Sequence, residues 1–251
     1  MSVLTPVRPN LPTKFQNDSV RFADLDRLHL GCGPNAPPNW LNVDGSWNAW
    51  LTHHPYLRRL LETLGITSRG QGELWKVRPL VHDLTKPLPF TQNRFSAVYA
   101  SHVLEHLYLE DAQKLLSECR RVLRPGGVVR IVVPDLRSMA NVYLNNNKEA
   151  HNLGSGGKEL SADKLNGSLS FRSPAPPTGS FLYQIYSLWK DFHHHKWMYD
   201  SESLTHYVEA AGFTDVSPKQ YLQSAISGIA EVEEADRILD GAGVCVEGTK
   251  P

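Results

Sequence analysis

Three cysteines in 251 residues, Cys32, Cys119 and Cys245, are too few and too scattered for a disulfide framework or a thiolate metal cage. Each falls in a strand or helix pattern, a usage that fits a reducing cytoplasm. Neither sign of charge dominates, since 26 Lys and Arg balance 26 Asp and Glu. The chain thus lacks the basic excess of a polyanion-binding surface, and nucleic acid is not an expected partner. No apolar run approaches the ~20 residues that span a bilayer, so no membrane partner is expected either. The opening MSVLTPVRPNLPTKF has no apolar core after a basic start, unlike a secretory signal. It reads as the beginning of a proline-stiffened arm over residues 1–26.

Against these absences stand short apolar runs at regular intervals: residues 28–30, 41–43, 80–84, 95–100 and 128–133. Most are separated by enough chain for crossover segments, the pattern of a parallel sheet covered by helices. The run VVRIVV is nearly all β-branched, as a strand buried on both faces should be. Between the last two runs, Ala112, Leu115, Leu116, Cys119, Val122 and Leu123 recur at helical spacing, and Pro125 with Gly126 and Gly127 ends that helix. A second helix is expected in DSESLTHYVEAAGF, capped by Asp200 or Ser201, with Leu204, Tyr207, Val208 and Ala211 on one face. HPYLRRLLETLG predicts a third. Residues 145–181, crowded with Gly, Ser, Asn and Pro, read as a long mobile loop.

LHLGCGPNAPPNWLNVDGS joins two of the runs. Only about a dozen residues separate its glycines from Asp44, against the ~20 of a dinucleotide fingerprint. Eight residues, 33–40, reach at most roughly 26 to 29 Å when extended. A four-residue strand is about 13 Å long. A parallel return is therefore feasible with no helix between the strands, and Pro34, Pro37 and Pro38 favour an extended path.

In this order, LHLGCGPN with Asp44, VHDLTKPLPF, FSAVYASHVLEHL, LRPGGVVRIVVPD and the terminal AAGF resemble the class I S-adenosylmethionine-dependent methyltransferases. The pattern is similar to a subgroup with a shortened first helix and a second strand reading W-x-N-V-D, often linked to sugar, glycan or secondary-metabolite pathways. The resemblance implies an α/β fold: a Rossmann-like, doubly wound, mostly parallel seven-stranded sheet with helices on both faces. It implies a single domain over 1–251, with insertions at 47–78 and 137–190 forming a lid over the active site. The implied cofactor is S-adenosyl-L-methionine, and the implied partner is a small-molecule acceptor methylated on oxygen or nitrogen.

The site residues follow from the same motifs. Gly31, Cys32 and Gly33 bring backbone close to the cofactor, because glycine lacks a side chain in the way. Asp44 at a strand end can accept from both ribose hydroxyls. The resemblance places Asp83 and Leu84 at the adenine, and Ser101 and His102 near the methionine end. His102, Glu105 and His106 suggest a loop anchor, a metal site or an acid–base group; hard cations prefer oxygen ligands, so no metal is assigned. In DFHHHKWMYD, strand-like alternation puts His193 and His195 on one face and His194 on the other. At most two can then converge, too few for a metal without an outside carboxylate. The resemblance places the segment before the terminal helix over the sheet's C-terminal edge, near the transferred methyl, and so implies His193 and His195, with His106, as candidate catalytic residues; Trp189, Trp197 and Tyr199 lie near them in sequence. Two other classes remain open on the sequence: a nicotinamide-dependent oxidoreductase and a catalytically silent cofactor-binding protein.

Overall fold

The computed structural model describes residues 24–34, 36–64, 75, 77–150, 161–170 and 194–251, with backbone alone for 146–150 and 161–164. Seven strands form one sheet: β1 (Arg27–Leu30), β2 (Leu41–Asp44), β3 (Leu80–Val81), β4 (Phe95–Ser101), β5 (Leu123–Pro134), β6 (Thr214–Pro218) and β7 (Gly243–Thr249). Their order is β3-β2-β1-β4-β5-β7-β6, and β7 alone runs opposite to the other six. The return from β1 to β2 contains no helix among its described residues, and Leu28 pairs with Leu41 in parallel register.

Alternation along the central strands sends side chains to two apolar clusters. Val98 and Ala100 of β4 and Val129, Ile131 and Val133 of β5 pack with Leu115, Leu116 and Cys119 of α3 (Leu109–Val122) and Leu204 and Val208 of α6 (Ser201–Ala210). Ala97, Tyr99 and Val132 point the other way, onto Trp40, Ile226, Ile229, Val232 and Ile238. That second face is covered by short 3-10 turns within residues 229–241. Arg130 pins this segment to the sheet. Its buried guanidinium pairs with Glu233 at 2.7 Å and Glu247 at 2.8 Å and donates to the Gln220 and Gln223 carbonyls.

Three other helices are α1 (Trp47–Thr52), α2 (Pro55–Thr63), where HPYLRRLLETLG predicts one, and α4 (Leu136–Ala150). A fourth, α5 (Ser161–Leu169), packs against α4. The last two correct the expectation of an irregular loop over 145–181. Pairing between α4 and α5 supplies the tertiary context that an Asn- and Ser-rich composition hides. Residues 151–160 and 171–181 of that stretch lie outside the described residues, as do residues 182–193.

Candidate active site

The parallel strands β1, β2 and β4 end together, and the loops leaving them carry most of the candidate residues. Gly31 has φ 62° and Gly33 φ 55°, a left-handed geometry that side chains other than glycine's rarely adopt. A Cβ on Gly31 would lie 2.3 Å from Val103 Cγ2, so the turn out of β1 and the turn out of β4 touch here. A Cβ on Gly33 would meet nothing within 4 Å. The Gly33 N–H donates to Asp44 Oδ2 at 3.0 Å, and the Ser46 N–H donates to Asp44 Oδ1 at 2.8 Å. A carboxylate offers about four lone pairs. Buried Asp44 therefore keeps one acceptor position on each oxygen beyond these bonds.

Two backbone donors of this turn are engaged within the protein. The Cys32 N–H is spent on the Val43 carbonyl and the Gly33 N–H on Asp44. The turn thus shapes and orients the acid, and the open side of Gly33 supplies the room. Burial pushes the Cys32 thiol well above its usual range, so its sulfur is inert. Asp83 is exposed and accepts from both the N–H and the hydroxyl of Thr85, as a turn acid does. Leu84 packs against the edge of the first apolar cluster.

Ser101 ends β4 in a buried position, its carbonyl 3.5 Å from Arg237 Nη1. His102 follows at φ 55°, and its N–H is held by the Val132 carbonyl. Burial, with Arg237 nearby, pulls the His102 imidazole down to about 4, so it is neutral at neutral pH.

The turn after it, Leu104–His106, meets the segment before α6. The Lys196 and Trp197 N–H groups donate to the Glu105 carbonyl, and Lys196 Nζ donates to that of His106. His106 Nδ1 lies 3.4 Å from the His194 carbonyl, and the His106 and His195 rings stand 5.1 Å apart, edge to face. The two histidine-bearing motifs of the sequence therefore form one cluster. His195 is anchored through its N–H to the Ser170 carbonyl, and burial lowers its imidazole below the usual range. His193 and Trp189 lie outside the described residues. Trp197 is exposed, and Tyr199 is buried in the core.

Glu105, which the sequence left among a loop anchor, a metal site and an acid–base group, stands out for its burial. Its side chain is fully buried, and neither carboxylate oxygen has a hydrogen-bond partner among the described residues. His102 Nδ1 stands 3.4 Å and His106 Nε2 3.9 Å from Oε1. Burial pushes this carboxyl up to about 8. An acid between two histidines was its signal, but burial is invisible in a six-residue loop.

A sheet of this order, with a glycine turn and an acid ending its first two strands, defines a nucleoside-binding α/β fold. Among the described residues no helix N-terminus follows the glycines to take a pyrophosphate, which argues against a dinucleotide. Residues 28–131 match the family described as "Methyltransferase domain", a span that holds most of the motifs resembling the class I S-adenosylmethionine-dependent methyltransferases. The cofactor of this class is S-adenosylmethionine.

One curated relative, the ubiquinone/menaquinone biosynthesis C-methyltransferase UbiE of Desulfotalea psychrophila, is 38% identical over 79 residues. That match spans 32% of this chain and 29% of the relative's length. Among solved structures, a possible histamine N-methyltransferase of Thermotoga maritima is 18% identical, covering 90% of this chain and 81% of its own, with TM-score 0.43. An S-adenosylmethionine-dependent methyltransferase of Archaeoglobus fulgidus is 17% identical, covering 94% and 91%, with TM-score 0.42. No helix among the described residues is long and apolar enough to cross a membrane.

Proposed function

We propose that the protein methylates an oxygen or nitrogen of a small molecule, with sugars, glycan precursors and secondary metabolites as the acceptor classes. The observation that carries this reading is the meeting of His106 and His195 beside the turn where Val103 abuts Gly31. When bound, the cofactor supplies a sulfonium-activated methyl group and its own leaving group. The open side of Gly33 and the remaining acceptor positions of Asp44 fit its nucleoside, with Leu84 as an apolar wall, Asp83 at the adenine, and Ser101 and His102 toward the methionine end.

What the chain must add is position and, for a hydroxyl acceptor, a place for the proton. Burial keeps His195 neutral at neutral pH, with a ring nitrogen lone pair able to take that proton. His106 stands beside it to orient an acceptor. His193 joins this face if the segment runs extended. Segments 47–78 and 137–190 are assigned as the cover over the acceptor, within a single domain. A cytoplasmic protein with neither nucleic acid nor membrane as partner completes the reading.

The test is transfer from methyl-labelled S-adenosylmethionine to a panel of hydroxyl and amine acceptors. His195→Ala should lower turnover about 100-fold, the scale of general-base loss, while S-adenosylhomocysteine affinity holds within about twofold. Unchanged turnover removes His195 from the chemistry. A carbon acceptor is the second reading, favoured by the C-methyltransferase named above. Label on a carbon acid, with none on hydroxyls or amines, would select it.

A further inference from the structure

We propose that Glu105, His106 and His195 bind one divalent transition-metal ion of zinc's class, leaving a coordination position open to a small-molecule ligand. One ligand atom from each of these residues lies within 4.8 Å of the other two. A four-coordinate site with bonds of about 2.0 to 2.2 Å brings its ligand atoms to about 3.4 Å, so closure takes side-chain shifts of about 1 Å. His106 Nε2 and Glu105 Oε1 are already 3.9 Å apart.

Burial of Glu105 is the independent observation. A carboxyl fully removed from water, with no hydrogen-bond donor on either oxygen among the described residues, ionises only at a cost unless a cation answers it. Arg237 acts on Glu105 only through space; its close contacts are Glu234 at 2.5 Å and the Ser101 carbonyl at 3.5 Å. An ion between Glu105 and the two imidazoles would remove the cost.

The surrounding bonds hold the set for this use. His106 turns Nδ1 to the His194 carbonyl and Nε2 toward Glu105, the orientation that backbone acceptors impose on metal-binding histidines. His195 Nδ1 is buried and has no hydrogen-bond partner among the described residues. The Glu105 carbonyl receives the Lys196 and Trp197 N–H groups, which keeps the His195 segment in place. Two imidazoles and one carboxylate suit zinc, cobalt or iron, whereas calcium and magnesium take oxygen ligands. Three protein ligands leave the fourth tetrahedral position for water or an acceptor heteroatom. Binding of the ion does not depend on the methyl-transfer reading; its use on an acceptor rests on that reading, and an occupied site spends the His195 lone pair, so His195 serves as base only in the ion-free protein.

The full chain, stripped with a chelator, would be titrated with Zn²⁺ by calorimetry and with Co²⁺ by visible absorption. One equivalent should bind, with the ligand-field spectrum of a low-coordinate cobalt site. Glu105→Gln and His195→Ala should each weaken it about tenfold or more. His206→Ala, on the exposed face of α6, should leave it unchanged. Glu105→Gln keeps size and burial, and thermal melts confirm that each variant folds; should one not fold, the other decides. Absence of saturable binding, or binding that both variants leave intact, overturns the proposal. S-adenosylhomocysteine, titrated in parallel, reports on the cofactor site: its failure to bind would sink the methyl-transfer reading and leave the metal result standing.

Discussion

Gly31 combines two demands that no other residue meets: φ 62° and no atom where a Cβ would strike Val103. Left-handed backbone costs other residues about 1 to 2 kcal/mol, and forcing a methyl into packed side chains adds about 1 to 3. Gly31→Ala should therefore lower stability by about 2 kcal/mol or more. It should also weaken S-adenosylhomocysteine binding, because the Val103 loop and the glycine turn must move apart. Thermal melts and calorimetry read the two effects separately; an unchanged melt would show that the turn relaxes without cost. Glycines and Asp44 were legible from spacing. The burial of Glu105 was not, because local sequence does not report it. Nor did it report that His106 and His195, far apart in the chain, would stand ring to ring.

At the scale of elements, α6 begins with a reciprocal cap. The Ser203 N–H donates to Asp200 Oδ1, and the Asp200 N–H donates to Ser203 Oγ. The Ser203 N–H, followed by the Arg137 guanidinium, draws the Asp200 carboxyl down to about 2 from an ordinary 3.8. A carboxyl lowered by folding stabilises the fold above its unfolded value and loses that contribution as pH falls through its folded value. Asp200→Ala should thus cost about 1 kcal/mol at neutral pH. The gap between variant and parent should close as pH drops from 3.8 toward 2. Denaturant melts at several pH values check this, and a gap independent of pH would remove the cap from the account. The cap, and the buried faces of α3 and α6, were readable from residue types and a 3.6 period. The ends of α4 and α5 were not, since polar and glycine-bearing turns become helical only through the neighbour they pack on.

For the whole molecule, five motifs in order sufficed to anticipate a mostly parallel seven-stranded sheet. They did not reveal what covers the second face. There Arg130, in the middle of an apolar strand, gathers Glu233, Glu247 and two carbonyls and so fastens residues 219–242 to the sheet. Arg237 reaches the end of β4 from that same segment. Among the described residues no helix stands between β1 and β2, and the proposed cofactor site matches this: a nucleoside sulfonium would use a glycine turn and a strand-end acid but no pyrophosphate site. Titration of S-adenosylhomocysteine into the full chain, alongside Asp44→Ala and NAD(P), tests this claim most directly. One saturable site is predicted, with no response to NAD(P). In Asp44→Ala the affinity should fall about tenfold or more, the scale of hydrogen bonds to a charged group. Absence of binding, or binding of NAD(P) in its place, would contradict the account.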